Sequence, residues 1–427
     1  MVLLGTLDTK ATEYAFVRAQ LLAQGCQVVV VDAGVTGSSP AADVSADEVA
    51  AAAGWDRSRL AEAGDRGSAM AVMTDGATRV VRELHGAGRL DGIVGLGGSG
   101  ATSLVSAAMR ALPLGVPKLL VSTFAASDLR PFLGTSDIMV MPAVTDVAGI
   151  NRVSERIYVS AAAAMAGMAR AMAAFESSLP ARPAVGATMF GVTTRCVNAA
   201  RAALEDRGYE VLVFHATGIG GQAMEDLARA GVISAVMDAT TTELADELVG
   251  GVMAAGPGRL EAAGRLGLPQ VVSPGALDIV NFGPLGSVPA RFRDRRLYRH
   301  NAEVTLMRTS EAECAELGRI MARKLNAATG PVTVFIPAGG LSALDVPDGP
   351  FWDPIADAAL RRELRAGLRT DIRVVELTTD INDPDFARAM AERLDEQIRS
   401  LAARGGGDRP EEVLDETPIA AAASAAH

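Results

Sequence analysis

Short apolar runs alternate with longer amphipathic stretches from the start of the chain. Val2–Gly5, Gln27–Asp32 and Lys118–Ser122 are largely apolar runs of strand length, and a helical pattern over Thr9–Gln24 follows the first of them. Continuous rather than alternating apolar residues are typical of parallel strands that are covered on both faces. This β-α-β rhythm predicts an α/β protein with doubly wound parallel sheets.

A second series of strands and helices begins at Ala184 and follows the first at a constant distance. Gly208 and Gly25 both end a predicted helix, His215 and Asp32 both end the second strand, and each pair is 183 residues apart. A constant offset favours an internal duplication that relates two Rossmann-like subdomains. The alternative is that all doubly wound sheets share this pattern.

A Pro-containing stretch, Leu179–Pro183, separates the two series. We therefore predict a first Rossmann-like subdomain over residues 1–180 and a second over residues 181–402. The remaining segment, residues 403–427, combines turn formers, charged residues and Ala. Such a composition does not build a core, so we expect a disordered tail.

Composition and charge narrow the class of protein. The chain has 427 residues, of which 49% are hydrophobic, and a net charge of −11; it can bury large cores but lacks the basic balance that nucleic acid requires. Three Cys lie far apart without a CxxC motif, which indicates neither a disulfide framework nor structural zinc. No apolar run reaches 18 residues, so we expect no membrane partner and a cytoplasmic location.

A Gly-rich segment, Gly95–Thr102 (GLGGSGAT), follows a predicted strand and precedes a predicted helix. Glycines let backbone amides approach an anion, and a helix N-terminus adds the positive end of its dipole. We therefore expect the first subdomain to bind the phosphates of a nucleotide here. The alternative is a tight turn that needs Gly for its geometry alone. The residues expected to contact the cofactor are Gly97, Gly98, Ser99, Gly100 and Thr102.

Two further loops of the first subdomain carry polar residues after strands. In the segment GTLDTK, the cation of Lys10 lies in the first turn of a predicted helix, where it opposes the helix dipole unless an anion binds. The alternatives are an exposed Lys and a helix cap at Asp8 or Thr9. Asp32 ends the second strand, where Rossmann folds hold a ribose. The expected cofactor contacts in these loops are Thr6, Asp8, Thr9, Lys10 and Asp32.

The second subdomain places a different polar set after its strands. His215 lies where the first half has Asp32, and Asp238 and Asp278 end or follow neighbouring strands. A His base with nearby carboxylates makes these three the candidate catalytic residues of a small-molecule site. Their spacing matches no metal signature, so no metal ligand is assigned, and helix capping is the alternative for the polar set. The expected substrate-binding residues are Thr217, Gly218, Ser273, Gly275 and His300.

Seven long motifs resemble those of one family: GTLDTK, GLGGSGATS, TDVAGINRVSERI, HATGIGGQAME, TTTELADELVGG, SPGALDIVNFG and PAGGLSALD. The chain is similar to a largely uncharacterised bacterial, fungal and plant family. The similarity is dense up to about Asp357. That family contains the ATP-binding inhibitory N-terminal domain of the tomato mosaic virus resistance protein. The tail beyond residue 402 lies outside the resemblance.

The resemblance implies a two-subdomain Rossmann-like protein that binds ATP, with or without Mg²⁺, in its first half and forms homodimers. Fungal and plant members carry an additional TIM-barrel module, so a separate TIM-barrel protein is an expected partner. From the polar residues of the second half we expect an enzyme that acts on a small carboxylate or phosphorylated metabolite. The lack of P-loop and nucleophile motifs favours the alternative, a nucleotide-dependent regulatory protein without catalysis.

Overall fold

The computed structural model describes residues 1–37, 39–62 and 65–405. These residues form two compact units, one spanning Met1–Leu179 and one beginning at Pro180. Each unit is built on a parallel sheet with helices on both faces, which confirms two Rossmann-like α/β subdomains. Of the predicted tail, residues 403–405 belong to the last helix, and residues 406–427 lie outside the described residues.

The first sheet contains five parallel strands in the order β2-β1-β3-β4-β5. The connection from β1 leads to β2 on one side of the sheet, and the connection from β3 leads to β4 on the other side. In such sheets, ligands bind beyond the carboxyl ends of the two strands at which the direction changes, here β1 and β3. In chain order the elements are β1 (Val2–Gly5), α1 (Leu7–Ala23), β2 (Val29–Asp32), α2 (Ala46–Ala52), α3 (Arg57–Glu62), α4 (Arg66–Gly86), β3 (Ile93–Gly97), α5 (Ser99–Arg110), β4 (Lys118–Ser122), α6 (Arg130–Leu133), β5 (Met139–Pro142) and α7 (Arg152–Ala173).

Successive side chains of these strands face opposite helix layers. Leu3 and Leu96 pack with α1 and α7 on one face. Leu4 and Leu120 pack with α2, α4 and α5 on the other face. Both faces of the strands are therefore buried, which explains why the strands read as continuous apolar runs in the sequence.

The second sheet has six parallel strands in the order β14-β13-β9-β8-β6-β7. Its first five strands in chain order repeat the arrangement of the first sheet, and β14 extends the far edge. The elements are β6 (Ala184–Met189), α8 (Thr194–Glu205), β7 (Glu210–His215), α9 (Ile219–Arg229), β8 (Ala235–Thr240), α10 (Glu243–Val249), α11 (Ala262–Arg265), β9 (Gln270–Gly275), β10 (Ile279–Phe282), β11 (Leu297–Arg299), β12 (Thr305–Arg308), α12 (Glu311–Asn326), β13 (Val332–Pro337), α13 (Pro354–Gly367), β14 (Arg373–Leu377) and α14 (Pro384–Gly405).

Two features of the architecture were not expected from the sequence. β10, β12 and β11 form a small antiparallel sheet inserted between β9 and β13. β5 is an edge strand whose side chains are partly exposed although its residues (MVMP) are apolar, and no strand was predicted there. In the described parts of the chain, no helix is both long and apolar enough to cross a membrane.

A buried tyrosine holds β1 and β3 together where their carboxyl ends diverge. The two strands pair only at Val2–Ile93 and Leu3–Val94. Beyond these pairs the Tyr14 hydroxyl lies 2.8 Å from the Leu4 carbonyl oxygen and 2.9 Å from both the amide nitrogen and the carbonyl oxygen of Leu96. The hydroxyl accepts the N–H and donates to a carbonyl, so it replaces the missing strand-to-strand hydrogen bonds.

Glycine at position 5 is what makes room for this hydroxyl. A Cβ at Gly5 would lie 1.8 Å from the Tyr14 oxygen. Burial also raises the pKa of Tyr14 well above its usual value, so the phenol stays protonated and can donate at any physiological pH. The small residue and the aromatic residue therefore form one unit of structure at the carboxyl edge of the sheet.

We expect Tyr14→Phe to lower the free energy of unfolding of the first unit by about 2–4 kcal/mol, because the substitution leaves buried backbone groups without a partner. Tyr158→Phe is the matched control, since Tyr158 is equally buried but its hydroxyl has no hydrogen-bond partner among the described residues. Urea unfolding monitored by circular dichroism measures both. Equal effects of the two substitutions would contradict the bridging role of Tyr14.

Candidate functional site

The junction between β3 and α5 is a single residue, Gly98, at the carboxyl edge of the first sheet. β3 ends at Gly97, α5 begins at Ser99, and no side chain caps the helix. Gly98 is half-buried, and Ser99 and Gly100 are exposed. The first N–H groups of a helix have no partner within the helix, so those of α5 face solvent in the arrangement that binds anions in α/β proteins.

Two of the predicted contact residues shape this junction rather than face a ligand. Gly97 has a φ of +154°, and a Cβ there would lie 2.4 Å from the Cβ of Ala101, so the strand can only end here with glycine. Thr102 is buried, and its hydroxyl lies 2.6 Å from that of Ser122 at the end of β4. The accessible residues of the predicted set are Gly98, Ser99 and Gly100.

An open cleft of about 330 Å³ adjoins this junction. One wall is formed by Ser122 at the end of β4 with Thr123 and two alanines after it, and the other by Pro142 at the end of β5 with Val144, Thr145 and Asp146 after it. The Thr123 N–H donates to the carbonyl of Gly97 at 3.2 Å, which joins one wall to the junction. Small-molecule pockets have volumes of roughly 300–1,000 Å³, so the cleft can accept a metabolite or part of a nucleotide.

The far wall of the cleft contains a strained residue and an unsatisfied hydroxyl. Val144 has a φ of +63° and its side chain is 78% exposed, although β-branched residues rarely adopt the left-handed region. The hydroxyl of the next residue, Thr145, is buried and has no hydrogen-bond partner in the structure. Strain and orphaned polar atoms concentrate at binding sites, so both features make this wall part of the candidate site.

Most polar groups of the turn from Thr6 to Lys10 have partners among the described residues, although Asp8 Oδ1 is buried without one. The Asp8 carboxylate accepts hydrogen bonds from the Val35 N–H at 3.1 Å and from the amide and hydroxyl of Thr36 at 3.2 and 3.0 Å. The Lys10 ammonium donates to the carbonyl of Val147. The charge that suggested an anion at this turn therefore already has an acceptor. Thr6 precedes α1 without a side-chain cap, and Thr9 is exposed.

Asp32 is buried and organises the start of α1. Its Oδ1 accepts from the N–H of Leu7 at 3.0 Å and of Gly34 at 2.9 Å, and its Oδ2 accepts from Ser39 at 3.2 Å. A carboxylate thus occupies the N-terminus of α1, where a phosphate would otherwise bind. These contacts favour a phosphate at α5 over one at α1, and contact of Asp32 with a ribose stays a prediction.

In the second unit, Asp238 is one side of a buried ion-pair network centred on Arg259. The Arg259 guanidinium binds both carboxylate oxygens of Asp238, at 2.5 and 2.7 Å, and Glu243 at 2.6 Å. Glu225 lies 3.6 Å from the same guanidinium, and all four side chains are at most 6% exposed. Asp238 is therefore held by a permanent cation, which gives no support to a catalytic role.

Glu243 extends this network to the loop after β7. Its free oxygen accepts from the N–H groups of Gly218 and Gly221 at 2.7 and 3.0 Å. Thr240 and Glu243 have the spacing of a capping box but do not form one, because the residue before α10 is Thr242 and no side chain caps that helix. Gly218, expected to bind substrate, donates its N–H inside the protein instead.

His215 and its neighbours lie at the exposed end of β7. The imidazole ring is exposed, with its centroid 5.5 Å from the ring of Phe190. The Thr217 hydroxyl donates to the carbonyl of His215 at 3.3 Å. His300 is also exposed, in the turn that connects β11 and β12. The structure shows no contact of either histidine with a carboxylate in the described residues.

Ser273 and Gly275 lie at the buried end of β9. A Cβ at Gly275 would lie 2.1 Å from the carbonyl oxygen of Ala239, so glycine is needed for close packing of β8 and β9. The Ser273 side chain is buried and its hydroxyl has no partner. Neither residue is accessible to a substrate in the described structure.

Asp278 belongs to a separate buried cluster. One of its oxygens accepts from the Ser342 hydroxyl at 2.7 Å and the other has no partner. Burial and the charge of Asp345 raise the pKa of Asp278 to about 8. Burial and Asp345 also raise the pKa of Asp357 to about 7, although Arg308 binds Asp357 at 2.6 Å. The cluster therefore retains protons near neutral pH.

One cavity beside the predicted residues of the second unit is too small for a substrate. A cavity lined by Glu225, Asp238, Leu260 and neighbouring side chains measures about 10 Å³, which is enough for one water molecule and not for a metabolite. Within residues 1–37, 39–62 and 65–405, no three His, Cys, Asp or Glu side chains group so as to hold a metal ion. The cleft of the first unit is therefore the better candidate site.

Two Rossmann-like units define an α/β protein, and the first unit has an uncapped helix N-terminus beside an open cleft. The chain belongs to the uncharacterised protein family UPF0261. The model of the family's N-terminal domain matches residues 1–174, and that of its C-terminal domain matches residues 182–398. This result confirms the family indicated by the sequence motifs.

The relatives come from bacteria and a plant. A UPF0261 protein of Clostridium tetani is 48% identical over 396 residues, which cover 92% of this chain and 98% of that protein. A UPF0261 protein of Rhizobium meliloti is 46% identical over 387 residues, or 90% and 96% of the two chains. The ToMV resistance protein Tm-1(GCR237) of Solanum lycopersicum is 46% identical over 332 residues, which cover 77% of this chain but 44% of that protein.

Four residues that matter in the structure had no role predicted from the sequence. Thr145 and Asp146 belong to the family motif TDVAGINRVSERI, and their position between β5 and α7 was the available signal. Arg259 follows a Gly-Pro-Gly segment in an irregular stretch, and nothing in its local pattern indicates that it is buried. Tyr14 resembled any apolar residue of an amphipathic helix.

We expect the free energy of unfolding to fall between pH 5 and 8, because the folded state binds protons on Asp278 and Asp357 that the unfolded chain releases near the ordinary carboxyl pKa of 3.8. This stabilisation is lost as the pH rises through 7 to 8. Asp278→Asn, which remains neutral, should be less sensitive to pH than the wild type over this range. Urea unfolding at several pH values measures the difference.

Asp371→Asn is the control, since Asp371 is an exposed carboxylate paired with Arg369. Its stability should follow the wild-type pH dependence. Parallel curves for wild type and Asp278→Asn would show that the buried cluster does not retain a proton. Asp246, whose burial raises its pKa to about 7, contributes equally to all three proteins and cancels in the comparison.

Proposed function

We propose that the first unit binds ATP or a related nucleotide, with phosphate at the N-terminus of α5 and the rest of the ligand in the adjoining cleft. The observation that carries the proposal is the junction at Gly98, where α5 starts without a side-chain cap and with its first residues exposed. The helix dipole and free N–H groups favour a phosphate there. ATP is the nucleotide that the family resemblance implies.

The geometry favours binding or regulation over catalysis by this chain alone. Asp146 is the sole ionisable residue among those that line the cleft, and an acid–base or nucleophilic mechanism needs at least a positioned pair. Asp238 and Asp278, the carboxylates expected to catalyse, are buried in internal networks. We therefore propose a nucleotide-dependent binding protein, the second of the two functions that the sequence left open.

The enzyme hypothesis requires a second component. A metabolite-modifying activity would need catalytic groups from a partner such as a separate TIM-barrel protein. We also propose that the protein forms homodimers and is located in the cytoplasm. Incubation of the purified chain with radioactive ATP and a panel of small carboxylates and phosphorylated metabolites tests turnover. ATP consumption by the chain alone would contradict a purely binding role.

We expect Gly98→Val to weaken ATP binding at least about tenfold, because the branched side chain covers amides that donate charge-assisted hydrogen bonds. The fold should tolerate it, since the nearest atom to an added Cβ is the Thr123 hydroxyl at 3.6 Å. Isothermal calorimetry with ATP, ADP and NAD measures the affinities. Tight NAD binding without an ATP signal would contradict the proposal.

Gly191→Val is the matched control, because Gly191 lies just before α8 in the second unit and an added Cβ would meet no atom within 4 Å. It should bind ATP as the wild type does. Equal loss in both variants would indicate a general effect of valine on the fold. Loss in Gly191→Val alone would place the nucleotide in the second unit and overturn the assignment.

We expect Thr145→Val to separate binding from stability. The Thr145 hydroxyl has no partner in the described part of the chain, so its replacement by a methyl group should leave the melting temperature unchanged or raise it. If the hydroxyl contacts the ligand, ATP affinity should fall about fivefold to tenfold. Thermal unfolding with and without ATP measures both. Unchanged affinity would remove Thr145 from the site.

A further inference from the structure

An arginine-rich strip lies on the surface of the second unit, in a protein whose net charge is −11. Between Arg291 and His300 the sequence RFRDRRLYRH contains five arginines and a single carboxylate, Asp294. We call the exposed members of this segment the basic strip. They are Arg291, Arg293, Arg296, Arg299 and His300.

The basic strip is not neutralised within the protein. Arg295, between its members, pairs with Glu313 at 2.7 Å, but no arginine of the strip lies within 4.0 Å of a carboxylate oxygen in the described residues. Arg296 and Arg299 donate to the carbonyls of Trp352 and Asn301 instead. Exposed arginines elsewhere are commonly paired, such as Arg319 with Glu316 and Glu363. The uncompensated charge is therefore local to this strip.

The strip includes β11, the edge strand of the small antiparallel sheet. β11 pairs with β12 alone among the described strands. The Arg296 carbonyl accepts from the N–H of Arg308 in β12, and the His300 N–H donates to the carbonyl of Val304, the residue before β12. Since hydrogen-bonding direction alternates along a strand, the N–H and carbonyl groups of Leu297 and Arg299 point away from the sheet. They form a free edge to which another strand can bind.

We propose that the basic strip binds an extended acidic segment of a protein partner, which adds to the edge of β11 as a further strand. Backbone hydrogen bonds to Leu297 and Arg299 would give the segment its register, and carboxylates at alternate positions would pair with the guanidinium groups of the strip. A short acidic segment experiences mainly the local positive field. A long nucleic acid would also meet the net negative charge of the whole protein.

Fluorescence anisotropy with a labelled eight-residue peptide of alternating Glu and Val tests the proposal. The wild type should bind this peptide and not the version with Gln in place of Glu. The double substitution Arg293→Glu and Arg299→Glu should weaken binding at least about tenfold. The matched control, Arg323→Glu with Arg373→Glu, makes the same charge change at two exposed arginines elsewhere in this unit and should change affinity less than about twofold.

Strand addition has its own test on the unaltered protein. A peptide methylated at alternate backbone nitrogens keeps its charge but cannot pair with the edge, so it should bind at least about tenfold more weakly. Equal binding of the methylated peptide would overturn strand addition. Preference for single-stranded RNA over the acidic peptide would replace the proposed partner class. If no probe binds, the proposal is overturned, and the arginines then serve to protect the edge strand from aggregation.

Discussion

The first unit depends on how the chain satisfies backbone groups where β1 and β3 diverge. Parallel strands that separate toward a ligand site leave N–H and carbonyl groups unpaired, and burying them unpaired is costly. The Tyr14 hydroxyl meets this need at Leu4 and Leu96, and Gly5 leaves the space for it. The strands can therefore diverge without disrupting the sheet, and the N-terminus of α5 is presented at the carboxyl edge.

The second unit solves the same problem with hydroxyl and charged groups. At the corresponding place, the Thr188 hydroxyl donates to Asp238 at 2.6 Å and accepts from the N–H of Thr240 at 3.0 Å. Asp238 is then neutralised by Arg259, which also binds Glu243. A buried cation with several carboxylates is stable only when each group keeps its partner. The polar residues that follow these strands thus stabilise the unit, and the first unit keeps the accessible site.

Local patterns in the sequence were enough to predict the two parallel sheets and the position of the Gly-rich junction. Buried parallel strands read as apolar runs, and the Gly-Gly-Ser-Gly segment follows one of them. Partners that are distant in the sequence could not be predicted: Arg259 with Asp238, Lys10 with Val147, and Asp32 with Leu7. Each polar residue after a strand looked available for a ligand, because the sequence does not show which of them form hydrogen bonds or ion pairs within the fold.

Hydrogen exchange measured by mass spectrometry most directly tests for a nucleotide site at α5 and the adjoining cleft. Amides at residues 97–102 and 142–147 are compared with and without saturating ATP. We predict slower exchange in both segments. The bound phosphate would form hydrogen bonds with the first amides of α5, and the rest of the ligand would cover the cleft wall at residues 142–147. Protection confined to the second unit, or no protection at any segment, would contradict this prediction.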